Sequence, residues 1–154
     1  MSQDPQRIAD LVEIEQLCAR YLAYASQFVP DQWLKVFTPD AEYSAFGSVY
    51  DVERMPALLA AAPRGQFIGS MPVVDFDGDR ATGTHGLPDR ATGMQHFVFI
   101  DQKTHAMRLA WYRDEYVRTA EGWRIRRRST TFMRKSGGYD SGVQHDPLAD
   151  AAKT

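Results

Sequence analysis

The chain has 154 residues, 44% of them hydrophobic and 25% charged, enough for one domain with a substantial core. Its net charge of −2 lacks the basic excess of a nucleic-acid binder, and its one cysteine, Cys18, excludes an internal disulfide. No apolar run approaches the roughly 18 residues of a membrane span, and the opening MSQDPQRIAD has no signal-peptide pattern, so the expectation is a cytoplasmic protein without a membrane partner.

Asp4-Pro5 predicts a helix start, with Asp as N-cap and Pro in the first turn. Leu11, Ile14, Leu17/Cys18, Tyr21/Leu22, Ala25 and Phe28 recur at spacings of three and four, an amphipathic helix of five to six turns that Pro30 ends. Cys18 falls in this apolar stripe and reads as packing rather than as a nucleophile. Asp31 caps a short second helix carrying Trp33, Val36 and Phe37, closed by Thr38-Pro39-Asp40. Residues 41–46 predict a strand and Gly47 a turn. A third helix runs from Met55-Pro56 to Ala62, ended by Pro63 and Gly65.

Residues 71–76 predict a strand, Asp77-Gly78 a hairpin turn, residues 80–85 the returning strand, and His96 to Ile100 another strand. Asp79-Arg80-Ala81-Thr82-Gly83 recurs as Asp89-Arg90-Ala91-Thr92-Gly93. Two copies do not make a solenoid, and a local duplication that lengthens one loop is the simpler account. Residues 106–133 then predict a long antiparallel hairpin turning at Glu121-Gly122, with Met107, Leu109 and Trp111 on one side and Arg108, Tyr112 and Asp114 on the other. Residues 1–135 are expected to form one domain, and 136–154 a tail that is extended or partly disordered.

Helices first and antiparallel strands after give an α+β layout, with three N-terminal helices over the concave face of a curved sheet. The stretches IEQLCARYLAYAS, DQWLKVFTPDAEYSAFG, VVDFDGDRAT and YRDEYVRTAEGWRIRRR, in that order, resemble the NTF2-like superfamily, in particular its SnoaL-like branch. The likeness spans about residues 8–133 and implies a cone-shaped fold with a pocket. It also implies cofactor-independent dehydratase, dehydrochlorinase, isomerase or cyclase chemistry, or plain ligand binding.

Many lyases of this kind pair an aspartate at the end of the first helix with a histidine on a strand. Here the aspartate position falls on Ser26 and the histidine position on Phe67 or Ile68, so the usual dyad is missing. The replacements expected are His96, or His85 on the other side of the duplicated loop, as the group that moves the proton. Removing the inserted loop aligns His96 with a pocket position of bile-acid dehydratase-like relatives; the ungapped register puts Asp89 there. Tyr21 and Tyr43 are expected to orient substrate and stabilise negative charge. Asp114, Arg128 and Trp111 are expected around the substrate with Ser26, Arg128 because dehydrochlorinase-like relatives carry a pocket arginine there.

No dinucleotide loop, phosphate-cradling glycine loop or histidine–cysteine cluster is present, so neither cofactor nor metal is expected. The resulting expectation is a lyase acting on a hydrophobic aromatic or polycyclic small molecule. An isomerase or cyclase of a polyketide- or steroid-like substrate and a non-catalytic binding module are the alternatives. Nucleic acid is not expected as a partner; a homodimer through the outer sheet face is.

Overall fold

A computed structural model of the protein describes residues 4–77 and 90–141, the last of these through its backbone only. Helix α1 (Pro5–Gln27) begins where Asp4 accepts from the Gln6 N–H at 3.0 Å and ends where Phe28 turns left-handed at φ 58°. Its stripe Asp10, Ile14, Cys18, Tyr21 and Ala25 is buried against the sheet. Helix α2 (Pro30–Leu34) is shorter than the sequence predicts, because Phe37 already opens strand β1 (Phe37–Ala45). Phe46 and Gly47, both at positive φ, turn the chain into β2 (Ser48–Asp51). Helix α3 (Met55–Ala61) follows as expected.

Strand β3 (Gly65–Gly69) is absent from the sequence reading, which took Pro63 and Gly65 as punctuation; it pairs with β5 rather than with a sequence neighbour. Strand β4 is Val73–Phe76, and β5 (Arg90–Asp101) begins six residues before the predicted His96. Arg90 to Gly93 of the second copy of the duplicated motif therefore lie in the sheet rather than in a loop. Gly93 is tolerated in β5 because the Tyr116 ring packs where its side chain would be: an added Cβ would lie 2.7 Å from that ring. The predicted strand over residues 80–85, and with it His85 and Asp89, lies outside the described residues.

Strands β6 (Met107–Thr119) and β7 (Gly122–Met133) form the long hairpin. In the segment expected as a tail, β8 (Tyr139–Ser141) pairs with the end of β7. The described strands make one curved sheet in the order β2-β1-β7-β6-β5-β3, with β4 on β5 and β8 on β7; every pairing is antiparallel except β1 with β7. The helices cover its concave face, where Trp33, Phe97, Tyr112, Trp123 and Ile125 form the centre of the core. Among the described residues no helix is long and apolar enough to cross a membrane.

One irregularity decides which side chains face the core. Between Glu115 and Tyr116 the pairing of β6 with β7 shifts, so that Glu115 faces Arg127 while Tyr116 faces Ile125. Arg126 is the extra residue of this bulge, and it reverses the in–out alternation of β7. Trp123 and Ile125 point inward before it; Arg128, Thr130 and Phe132 point inward after it, and all five are buried.

Candidate active site

From the N-terminal end of α1 onward, three layers lie between that helix and the β6–β7 hairpin. In the first, buried Asp10 takes hydrogen bonds from Arg118 Nη1 and Nη2 at 2.8 and 2.7 Å, from Trp123 Nε1 at 3.1 Å and from Gln6 at 3.1 Å. Burial alone would raise this carboxyl's pKa; the hydrogen bonds from Arg118, Trp123 and Gln6 outweigh it and hold the group below the usual aspartate range.

The second layer is a fully buried ion pair. Arg128 donates from Nε to Asp114 Oδ1 at 2.7 Å and from Nη2 to Oδ2 at 2.8 Å, and the Tyr116 hydroxyl donates to Oδ2 at 2.7 Å. Cys18 Sγ sits 3.4 Å from that hydroxyl and 3.7 Å from Arg128 Nη2. Burial pushes the thiol pKa up, so Cys18 is packing, as its position in the stripe implies. Burial by itself pulls the Arg128 pKa down, but Asp114 more than compensates and the guanidinium stays charged. It stacks on two phenol rings, 4.2 Å from the centroid of Tyr21 and 4.0 Å from that of Tyr112.

Those rings begin the third layer, a cavity of about 300 Å³ between α1, α3 and the concave face. Its wall is apolar: Ala25, Leu58, Leu59, Phe67, Phe97, Phe99 and Phe132 among others. Polar groups come from Tyr21, Tyr43, Tyr112 and Thr130 inside and from exposed Arg108. The Tyr43 hydroxyl shares a hydrogen bond with Thr130 Oγ1 at 2.8 Å. The Tyr112 hydroxyl is buried without a partner; that of Tyr21 is near enough to perturb it but not in hydrogen-bond geometry. Leaving a buried hydroxyl unsatisfied costs about 1–3 kcal/mol. Burial raises the pKa of all three phenols well above the ordinary tyrosine value, so near neutral pH they are protonated donors.

Of the predicted site residues, Tyr21 and Tyr43 meet in this cavity, their rings stacked at 6.5 Å. Asp114 and Arg128 lie one layer below it and face each other rather than a ligand space. His96 has to be corrected. Strand β5 puts Gln95, Phe97 and Phe99 inward, and His96 is exposed on the outer face, its ring 5.9 Å from that of Trp111. Trp111, expected around the substrate, is on that outer face too, beside Tyr139 at 5.4 Å. The pairing of β5 with β6 sets the two opposite each other and fixes this parity.

Ser26 is also corrected. Its hydroxyl donates to the Leu22 carbonyl at 2.8 Å and accepts the Phe67 N–H at 2.9 Å, tying α1 to β3 outside the cavity wall. The two positions that the resemblance assigns to the lyase dyad are thus neighbours here, joined through Ser26 and the backbone of Phe67, with neither carboxylate nor imidazole. His85 and Asp89 lie outside the described residues. Tyr112, Thr130 and Arg108 were missed as site residues. Alternation places Tyr112 and Arg108 on one face of β6, but only the bulge brings Thr130 to the concave side.

A cone of helices on a curved sheet, closed around an apolar cavity, is the NTF2-like architecture. The chain belongs to the SnoaL-like domain family, whose model matches residues 6–129. An uncharacterized protein of Mycobacterium tuberculosis is 33% identical over 136 residues, which is 80% of this chain and 86% of that protein. An NTF2-like protein with a cystatin-like fold from Novosphingobium aromaticivorans superposes with a TM-score of 0.68 at 20% identity, over 100% of this chain and 99% of that one. A hexachlorocyclohexane dehydrochlorinase, LinA type 2, does so with a TM-score of 0.68 at 16% identity, over 92% of this chain and 95% of its own. Identities this low speak for the fold alone. Among the described residues no cluster of histidine, cysteine and carboxylate groups is arranged to hold a metal ion.

Proposed function

We propose that the protein is a cofactor-independent lyase that eliminates a small leaving group, such as water, from a hydrophobic aromatic or polycyclic molecule. The observation that carries this reading is the apolar cavity whose interior polar groups are neutral hydroxyls, those of Tyr21, Tyr43, Tyr112 and Thr130. Elimination builds negative charge on a substrate oxygen, and hydrogen-bond donors in a dry pocket stabilise that charge more in the transition state than in the ground state. The dehydrochlorinase of the same fold supports this class of reaction.

The described wall offers no imidazole or carboxylate as base, so the substrate supplies its own acidic proton. In a ring bearing a phenol and a para benzylic hydroxyl, the phenol O–H and the benzylic C–O bonds break. A quinone methide forms, and the phenol proton leaves in the water released. Tyr43 hands a proton to the departing hydroxyl and regains one through Tyr21 from the substrate phenol.

Mass spectrometry of benzylic oxygen exchange between para-hydroxybenzhydrol and isotope-labelled water tests this step. Exchange faster than in buffer, reduced about 10²-fold or more in Tyr43→Phe, is the expected outcome. Binding of the compound without faster exchange would overturn the lyase and favour a binding module, a second reading that the missing base supports. An isomerase or cyclase would instead return products of unchanged mass.

The outer face supports a homodimer: Met107, Leu109 and Met133 are exposed there beside Trp111. Light scattering at micromolar concentration should give twice the monomer mass; the monomer mass would contradict the dimer.

A further inference from the structure

Among the described residues, two groups of the cavity have no hydrogen-bond partner, one at each end of the same strand face. Tyr112 is wholly buried, its ring stacked on Phe97 at 4.1 Å, met edge-on by Tyr21 at 5.3 Å and covered by the Arg128 guanidinium at 4.0 Å. These three contacts hold the ring in place, with its hydroxyl near that of Tyr21 but outside hydrogen-bond geometry. Arg108 precedes it by four residues on β6, about 13 Å along the strand, with the small Ala110 between them on the same face. It is exposed and lines the cavity together with Phe46, Phe99 and Phe132.

Arg108 makes no hydrogen bond or ion pair with any described residue. Asp101 feels its charge, but that carboxyl is held chiefly by the backbone amides of Thr104 and Lys103. No acidic side chain lines the cavity among the described residues. A guanidinium set in an aromatic rim, with no hydrogen-bonded carboxylate among the described residues, matches a planar carboxylate, which it grips through two hydrogen bonds.

We propose that the ligand of this cavity is an elongated aromatic carboxylate: a body of one or two rings, an oxygen at the inner end bonded to Tyr112, and a carboxylate at the outer end held by Arg108. This rests on the cavity being the substrate site and narrows the substrate class proposed for it. The volume, at the low end of the roughly 300–1,000 Å³ of ligand pockets, suits such a body. Arg108 acts as a specificity-determining residue, Tyr112 as the inner anchor.

The probe is a biphenyl with a para hydroxyl on one ring and a para carboxylate on the other, titrated calorimetrically. Its methyl ester and the parent acid without the hydroxyl are the comparisons. The acid should bind wild type about tenfold or more tighter than the ester. In Arg108→Gln that preference should fall to about twofold or less with the ester's affinity unchanged. In Tyr112→Phe the advantage of the hydroxylated acid over its parent, about fivefold or more in wild type, should vanish.

Equal affinity of acid and ester in wild type, or a preference that survives Arg108→Gln, overturns the carboxylate proposal and leaves the cavity reading standing. Filling the cavity separates the two: binding that persists in a folded Ala25→Phe variant lies elsewhere and overturns the cavity reading itself. Failure of every probe to bind overturns both.

Discussion

The two halves of the space under α1 are built on opposite terms. From its N-terminal end to its middle, Asp10 with Arg118, and Asp114 with Arg128, are matched charge for charge, and each carboxylate is hydrogen-bonded at both oxygens. Beneath its C-terminal half the wall is hydrocarbon and phenol, with the Tyr112 hydroxyl left unpaired. Stranding a buried charge costs far more than leaving a neutral hydroxyl unpaired, so the two halves differ in what they tolerate. The lower half holds the cone together; the upper half is the proposed binding space.

Substitutions should break the two halves differently. The largest effect is expected from Asp114→Ala, which strands the Arg128 guanidinium in the core: about 3–5 kcal/mol of stability lost in urea unfolding. A loss under 1 kcal/mol would mean that Arg128 is not buried with Asp114 as its partner. Gly93→Ala comes next. A methyl group at that position would press on the Tyr116 ring, at about 1–3 kcal/mol, and disturb the same ion pair from the opposite strand.

Asp10 gives the lower half a pH dependence. Its folded-state pKa is depressed, so the unfolded chain binds the proton first as pH falls. The stability it contributes is present above the ordinary aspartate range and lost as pH drops through the depressed value. Wild type should therefore show an acid-limb decline below about pH 4 that Asp10→Asn flattens; parallel unfolding profiles of the two proteins would contradict this. In the upper half, Tyr43→Phe should cost about 1 kcal/mol by orphaning the Thr130 hydroxyl. Tyr112→Phe removes a buried hydroxyl that has no partner, and should raise stability by about 1 kcal/mol or more.

The same contrast explains what was legible in the sequence. The helices, the hairpin and the family resemblance follow from spacing and order, which local physics enforces. Tyr21 follows from its place in the α1 stripe and Tyr43 from the resemblance. Parity along the long strands was harder. The start of β5 at Arg90 and its register with β6 turn His96 outward, and nothing in HFVFI alone says which of its two faces is covered. The bulge at Arg126 hides Arg128 inside a run of arginines that strict alternation would leave in solvent. Ser26 shows the limit of carrying a position over from a resemblance: the chemistry there is a helix-to-strand hydrogen bond.

The most direct test is a crystal structure of the protein with the hydroxybiphenyl carboxylate bound. The account predicts density between α1 and the concave face, the ligand hydroxyl within hydrogen-bond distance of Tyr112 and the carboxylate on Arg108. Density confined to the outer face, beside His96 and Trp111, would contradict it.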